Sequence, residues 1–487
     1  MTINRLMSAI TRRSRMEPNV FRRSPGSVSK SIMTRAFPPG MPQLAAQVLP
    51  VRLVPRRTQV WPAVILFYAC LLPMEAKVDI GNLRLYAFRI VLFLLLPWVL
   101  HKLTSGRIRI GFVDIMMICA SVWMALAMSM VHGFAEGMES GGAQAFDLFT
   151  AYMVGRCALR SPAAFRRFLK YAVPGLFLVG ISMAIESLSH MLIVRPMFAD
   201  VFGGYATESG ALRPFARLGL FRAYGPFPHP ILAGLQMASF LPLYLIGTRP
   251  SSVRLSGAAA SLFGLFSISS ASFMAYFINT ALVMYHVLQK KVRRIGWKPI
   301  LIAFLFLLVS IQTFSQNGML SVISRYLTLD PGTASYRILI WSNAVDDVAA
   351  NPWFGIGFNE WTRPHWMVHS SIDAHWLLLA VRFGLPETIL LAAATLMSIV
   401  GLAMAASRAP RSARNLFAAL AISISVMAIF MFTVTFWANS FVWFALILGG
   451  AGGLTRAQGR HWSIVTDQRM HSSDRAVSRP LRILDHS

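Results

Sequence analysis

The sequence predicts an all-α polytopic membrane protein, with about twelve transmembrane helices and two large loops on the outer side. Three observations carry this. Of 487 residues, 55% are hydrophobic and only 13% charged, about half the charge of a soluble domain; the mean hydropathy is +0.56. Apolar runs close to membrane-spanning length recur along the chain. Basic residues collect in the short stretches between those runs, as cytoplasmic loops require. Such a chain is neither a soluble enzyme, nor a secreted disulfide scaffold, nor a disordered regulator.

The first 57 residues, rich in Arg, Ser and Pro, hold eleven basic residues against one acid, Glu17. No apolar stretch follows Met1 closely, so this segment reads as a disordered cytoplasmic tail and not a cleavable signal. Residues 58–454 form the membrane domain, with spans expected at 59–74, 83–100, 111–131, 144–159, 169–194, 229–247, 255–269, 272–289, 299–314, 373–406, 415–434 and 437–454. The span at 144–159 is weak because Asp147 and Arg156 interrupt it, and 255–289 also reads as one long broken element. Residues 455–487 read as a second cytoplasmic tail.

The net charge of +27 lies in the tails and between spans, for example at Lys290, Lys291, Arg293, Arg294 and Lys298. This distribution suits anionic lipid at the inner leaflet and excludes nucleic acid as a partner. Basic and non-basic loops alternate if both termini are cytoplasmic and the number of helices is even. Cys70, Cys119 and Cys157 lie in or beside apolar stretches and read as small buried hydrophobes. No zinc signature, phosphate loop of the Walker type, CxxC pair or nucleophile elbow occurs, so neither a metal nor a cofactor is expected.

Two long loops then face outward, at about 195–228 and 315–372, and loops of that length are usually functional. The first ends in Arg222-Ala-Tyr224-Gly225-Pro226-Phe227-Pro228-His229-Pro230. Its prolines make a stiff approach to a helix whose first turn accepts Pro230. A cation held there suits a phosphate; the same residue type also snorkels to lipid headgroups. In the second loop Arg337 and Trp341 stand one helical turn apart on one face. An arginine fork matches diphosphate oxygens, and Trp341 either stacks on a sugar, positions the arginine or anchors an interfacial helix. Asp346 and Asp347 diverge around the helix and do not form a metal pair. Pro352-Trp353-Phe354-Gly355-Ile356-Gly357 makes a tight turn and is a weak candidate for a phosphate loop, since no strand precedes it. Last comes Asp373-Ala374-His375-Trp376, with His375 at the start of a membrane helix. Its imidazole is suited to proton transfer near neutral pH.

The order Arg222-x-x-Gly225, His229-Pro230, Arg337-x-x-x-Trp341, Pro352-x-x-Gly355-x-Gly357, Ala374-His375 and Gly384-Leu385 resembles the O-antigen ligase and polysaccharide polymerase superfamily. The likeness departs at Trp376, where the family often has Asn, and at Ser270-Ala271-Ser272, where it often has Ser-Arg-Gly or Ser-Lys-Gly. The resemblance implies a metal-independent, inverting glycosyltransferase of the GT-C type in a bacterial inner membrane, using a glycan on undecaprenyl diphosphate as donor. Carried over by motif, Arg222 and Arg337 bind the diphosphate leaving group, and His375 activates the acceptor hydroxyl. Gly225, His229, Trp341 and Asp373 support them.

Polymerase and ligase share this donor chemistry. The long tails, suited to contacts with other polysaccharide assembly proteins, favour a polymerase of exopolysaccharide or O-antigen repeat units over a ligase acting on lipid A core. A transporter or flippase predicts internal repeats and charges lining a central path; the unusual polar residues cluster in the two loops instead.

Overall fold

The computed structural model describes residues 59–456, apart from 81–82, 107, 203–215, 218, 293–301, 303–305, 307–330 and 368–369. The tail at 1–57, nearly all of the span at 299–314 and nearly all of the tail at 455–487 lie outside the described residues. Helices dominate, as expected. The all-α expectation is corrected in one respect: two short antiparallel hairpins are present, β1 (Lys77–Ile80) with β2 (Leu83–Tyr86), and β3 (Ala216–Arg217) with β4 (Leu220–Phe221). The first hairpin takes the first four residues of the span expected at 83–100, so that the helix there begins at Ala87, and the second lies in the outward loop expected at 195–228.

Seven expected spans are helices long and apolar enough to cross a membrane. They are α2 (Ala87–Thr104), α3 (Phe112–His132), α5 (Pro162–Ser189), α7 (Pro230–Pro242, continued by a wider turn to Gly247), α9 (Ser270–Lys291), α12 (Leu385–Arg408) and α13 (Arg411–Phe430). Four others take different forms. The run at 59–74 yields only α1 (Trp61–Cys70), about 15 Å of helix and half a bilayer core. The region 255–289 is two elements, with α8 (Ser251–Leu262) and a tight turn to Ser267 leading to α9 across Ile268, whose φ is 42°. A final helix, α14, covers 439–456 and is buried almost throughout.

The weak span at 144–159 is the second half of α4 (Phe134–Ala158). Its charges are buried but paired. Arg89 from α2 grips Asp147 with Nε at 3.0 Å and Nη2 at 2.6 Å. Arg156 meets Asp114 of α3 at 2.9 Å, and the Tyr152 hydroxyl donates to the same carboxylate at 2.6 Å. Hydropathy counts each charge alone, whereas a buried ion is tolerated when a partner and hydrogen bonds satisfy it. Glycine also brings α4 against α14: a Cβ at Gly155 would strike the Leu446 carbonyl, and one at Gly449 the Tyr152 carbonyl, the small-residue contact that membrane helices favour.

Helix α5 begins earlier than its expected start at residue 169, because Ser161 caps it by accepting from Ala164 N at 3.1 Å and Pro162 occupies the first turn. Arg166 and Arg167, expected between spans, therefore sit on the helix, and Arg166 Nε reaches the Gly247 carbonyl at 3.0 Å. At the centre Trp443 of α14 stacks on Phe240 of α7, with ring centroids 4.4 Å apart and an interplanar angle of 22°. Its Nε1 donates to Ser239 Oγ at 3.1 Å. Between the spans lie three shorter or more polar helices: α6 (Val194–Phe202), α10 (Pro331–Ala350) and α11 (His375–Phe383). The expected span 373–406 is thus broken in two at Gly384, whose φ is 83°.

Candidate active site

Arg222 lies in an extended segment between β4 and α7 and is buried. The backbone on either side of it is tied down. Ser187 Oγ donates to the Phe221 carbonyl at 2.8 Å, and Ala223 N donates to the Phe266 carbonyl at 3.1 Å. Glu186 Oε2 accepts from Tyr224 N at 3.0 Å and Gly225 N at 2.7 Å. Gly225 has φ 55°, a turn that suits glycine. His229 is the N-cap of α7, its Nδ1 accepting from Ile231 N at 3.2 Å, so Nε2 carries the ring proton. Burial of its ring among neighbouring side chains, then the charges of Arg222, Arg337 and Arg195, push the His229 pKa down to about 3, although the residue as a whole is exposed to solvent. Three guanidinium groups therefore lie close enough to one imidazole to act on it.

Arg195, on α6, was not singled out by sequence. It is held by Glu75 with Nη2 at 2.5 Å and Nε at 2.8 Å. Its Nη1 approaches the Pro228 carbonyl at 3.4 Å, and its guanidinium sits 5.9 Å from the Tyr224 ring centroid. The available signal was a lone acid, Glu75 or Glu186, at the end of an apolar run, since ionisable groups in such places need a partner.

Arg337 on α10 is half-buried, and its Nε has no hydrogen-bond partner among the described residues. Burial lowers its pKa and the nearby Asp373 carboxylate opposes that shift; the guanidinium stays charged. Asp373, two residues before His375, is thus the expected supporting residue placed beside Arg337. Trp341 donates from Nε1 to the Phe432 carbonyl at 3.1 Å and stacks on the Phe432 ring, which ties α10 to the turn after α13.

His375 opens α11 and is only 4% exposed. Its ring lies against Phe441 at 4.7 Å and Phe436 at 6.1 Å between centroids, and neither ring nitrogen has a hydrogen-bond partner among the described residues. It lines a cavity of about 880 Å³ together with Arg382, seven residues on along the same face of α11, and with Glu136, Glu139, Gln144 and the Arg89–Asp147 pair. Neither Arg222 nor Arg337 belongs to that lining. The expected residues thus form two groups. The arginines gather around His229, and His375 faces the cavity; Asp373 and the packing of α10 on α11 join them.

The turn between α13 and α14, read by sequence only as a gap between spans, organises the second group. Met431 accepts from Trp376 N at 3.2 Å, Phe432 accepts from Trp341, Thr435 Oγ1 donates to the Ile372 carbonyl, and Phe436 flanks the imidazole. Trp376, one of the departures from the family pattern, donates from Nε1 to the Ala428 carbonyl at 2.9 Å; it fastens α11 to α13. At the other departure, Arg217 Nη1 reaches Ser270 Oγ at a long 3.5 Å, so a guanidinium does stand there, brought by the β3–β4 hairpin.

The Pro352–Gly357 turn caps α11 instead of forming a phosphate loop. Ile356 N donates to Val381 O at 2.7 Å, Gly357 N to Arg382 O at 3.2 Å, and Leu385 N to Pro352 O at 2.8 Å. These bonds satisfy carbonyls left open at a helix end. A Cβ at Gly384 would strike the Trp353 carbonyl, and one at Gly355 the Val381 carbonyl, so the glycines interlock. Among the described residues no three His, Cys, Asp or Glu side chains gather as a metal site.

No curated protein matches the chain. Residues 255–392 match the family model described as O-Antigen ligase. That stretch runs from α8 into α12 and contains Arg337, Trp341, Asp373 and His375, while Arg222, Gly225 and His229 precede it. The apolar helices mark an integral membrane protein, and the match at residues 255–392 supports the O-antigen ligase and polysaccharide polymerase superfamily that the motifs resemble.

Proposed function

We propose that the protein polymerises undecaprenyl-diphosphate-linked oligosaccharide repeat units on the periplasmic side of a bacterial inner membrane, with both termini in the cytoplasm. The observation that carries this reading is the gathering of Arg222, Arg337 and Arg195 around His229, with the unpartnered imidazole of His375 on the helix that α10 packs against. Arg222 and Arg337 bind the donor diphosphate. As the bond from the sugar C1 to the diphosphate oxygen breaks, charge grows on that oxygen and the fixed guanidinium groups stabilise it without reorganisation. The acceptor hydroxyl attacks C1 from the opposite face, which inverts the configuration, and gives its proton to a ring nitrogen of His375. Asp373 holds Arg337 in place. The leaving group is a good one, so two cations and a base suffice without metal or cofactor.

The test is the length distribution of lipid-linked glycan in cells lacking the protein, resolved on a gel. Single repeat units with long chains absent identify a polymerase. Long chains stranded on the carrier identify a ligase acting on lipid A core, the second reading, which the description of the matching family favours. Units trapped on the cytoplasmic face identify a flippase and overturn the site.

A further inference from the structure

Glu186 sits in the last turn of α5, fully buried. Its carboxylate takes four backbone hydrogen bonds. Oε1 accepts from Ile193 N and Val194 N, both at 3.2 Å; Oε2 accepts from Tyr224 N and Gly225 N. Four acceptor positions are what an ionised carboxylate has, so these bonds use it completely.

The two pairs of donors belong to the two segments that carry cations. Val194 opens α6 and Ile193 leads into it; the first N–H groups of a helix have no partner within it, and a negative charge there is favourable. Arg195 follows immediately. Tyr224 and Gly225 form the turn just after Arg222. The next residue of α5, Ser187, holds the Phe221 carbonyl just before Arg222. One turn of α5 therefore brackets Arg222 from both sides and, through the same carboxylate, fixes how far α6 stands from it. A buried carboxylate in an apolar chain is costly. Hydroxyl or amide side chains can each hold a loop; only a carboxylate accepts from four N–H groups at once.

We propose that Glu186 is a positioning residue for glycosyl transfer. It fixes the backbone that presents Arg222 to the diphosphate and ties α6, with Arg195, to that same backbone, and acts through Arg222 without touching the substrate. This rests on the reading of Arg222 as a diphosphate ligand.

The experiment uses the full chain in lipid nanodiscs, with lipid-linked repeat units extracted from host membranes as substrate. kcat and KM are measured for the wild type, Glu186→Gln, Arg222→Lys and the double variant. Glutamine keeps the size but turns two donors toward backbone N–H groups. The expected result is a loss of about tenfold in kcat/KM for Glu186→Gln, as a displaced binding group produces, with the double variant no more than about twofold below Arg222→Lys alone. A purely structural glutamate lowers the amount of folded protein and leaves the activity per folded molecule unchanged. Additive losses, or normal kcat/KM in Glu186→Gln, overturn the proposal. Normal transfer by Arg222→Lys overturns the donor site itself, and the proposal with it. Should Glu186→Gln not fold, Glu186→Asp, which reaches only one pair of N–H groups, enters the same cycle with the same two outcomes.

Discussion

The Arg222 region and the His375 region are held by opposite means. Around Arg222 the fixings are ionic: Glu186 takes four backbone N–H groups and Glu75 takes Arg195. Around His375 they are aromatic and apolar, with Phe436 and Phe441 against the ring and two tryptophan N–H groups fastened to backbone carbonyls. On the proposed function, the difference follows from the tasks. Cations proposed to meet a diphosphate repel one another beforehand, and nearby carboxylates and oriented backbone hold them in place. A base must keep a lone pair available, so its neighbours orient the ring and leave its nitrogens alone.

Four experiments break or sharpen this comparison. His375→Ala should have the largest effect, a loss of about 10²–10⁴-fold in transfer, with membrane insertion unchanged and donor binding retained. Loss of donor binding in that variant would move His375 into the first region. Arg222→Ala and Arg337→Ala should each cost about 10²–10³-fold and weaken retention of the lipid-linked donor, measured by co-purification. A normal product level from either removes that residue from the site. Trp376→Phe and Trp341→Phe each delete one N–H bond and keep the ring, which costs about 1 kcal/mol. Transfer should fall by about fivefold, and a tenfold or greater drop from Trp341→Phe would favour direct contact of Trp341 with sugar. The smallest effect belongs to His229. His229→Asn preserves the helix cap and should leave thermal stability unchanged, whereas His229→Ala should cost about 1 kcal/mol. Because the His229 pKa is held at about 3, below its value in an unfolded chain, the neutral ring supports the fold above pH 6.5. That support declines as pH falls from about 6.5 toward 3, over which only the unfolded chain takes up the proton. A fall in the stability difference between wild type and His229→Asn confined to pH above 7 would contradict this assignment.

Much of the membrane domain was legible because spans depend on local composition. Seven runs became helices of membrane length at or near their expected positions. The misreadings have local causes too. A glycine at φ 83° cuts the 373–406 run, which hydropathy alone cannot register. Asp147 and Arg156 weakened the reading of α4 because their partners, Arg89 and Asp114, lie far away in the chain. In the candidate site, Arg222, Arg337 and His375 were singled out from residue type and motif order. Arg195, Glu75 and Glu186 were missed, as was the turn at 431–437: a lone acid at the end of an apolar run says that a partner is needed but not which one, and each of these acts through a contact distant in sequence.

The sequence by itself determined that the chain lives in a membrane, since transfer of apolar side chains from water depends on composition and not on arrangement. It also determined which residue types were available for charge neutralisation and proton transfer. Only the tertiary structure decided their grouping: three arginines around one histidine, and His375 in a cavity that two aromatic rings and Arg382 help to line. The reason is physical. Ion pairs and hydrogen bonds between helices have no period along the chain, and their geometry exists only once α5, α6, α7, α10 and α11 have packed.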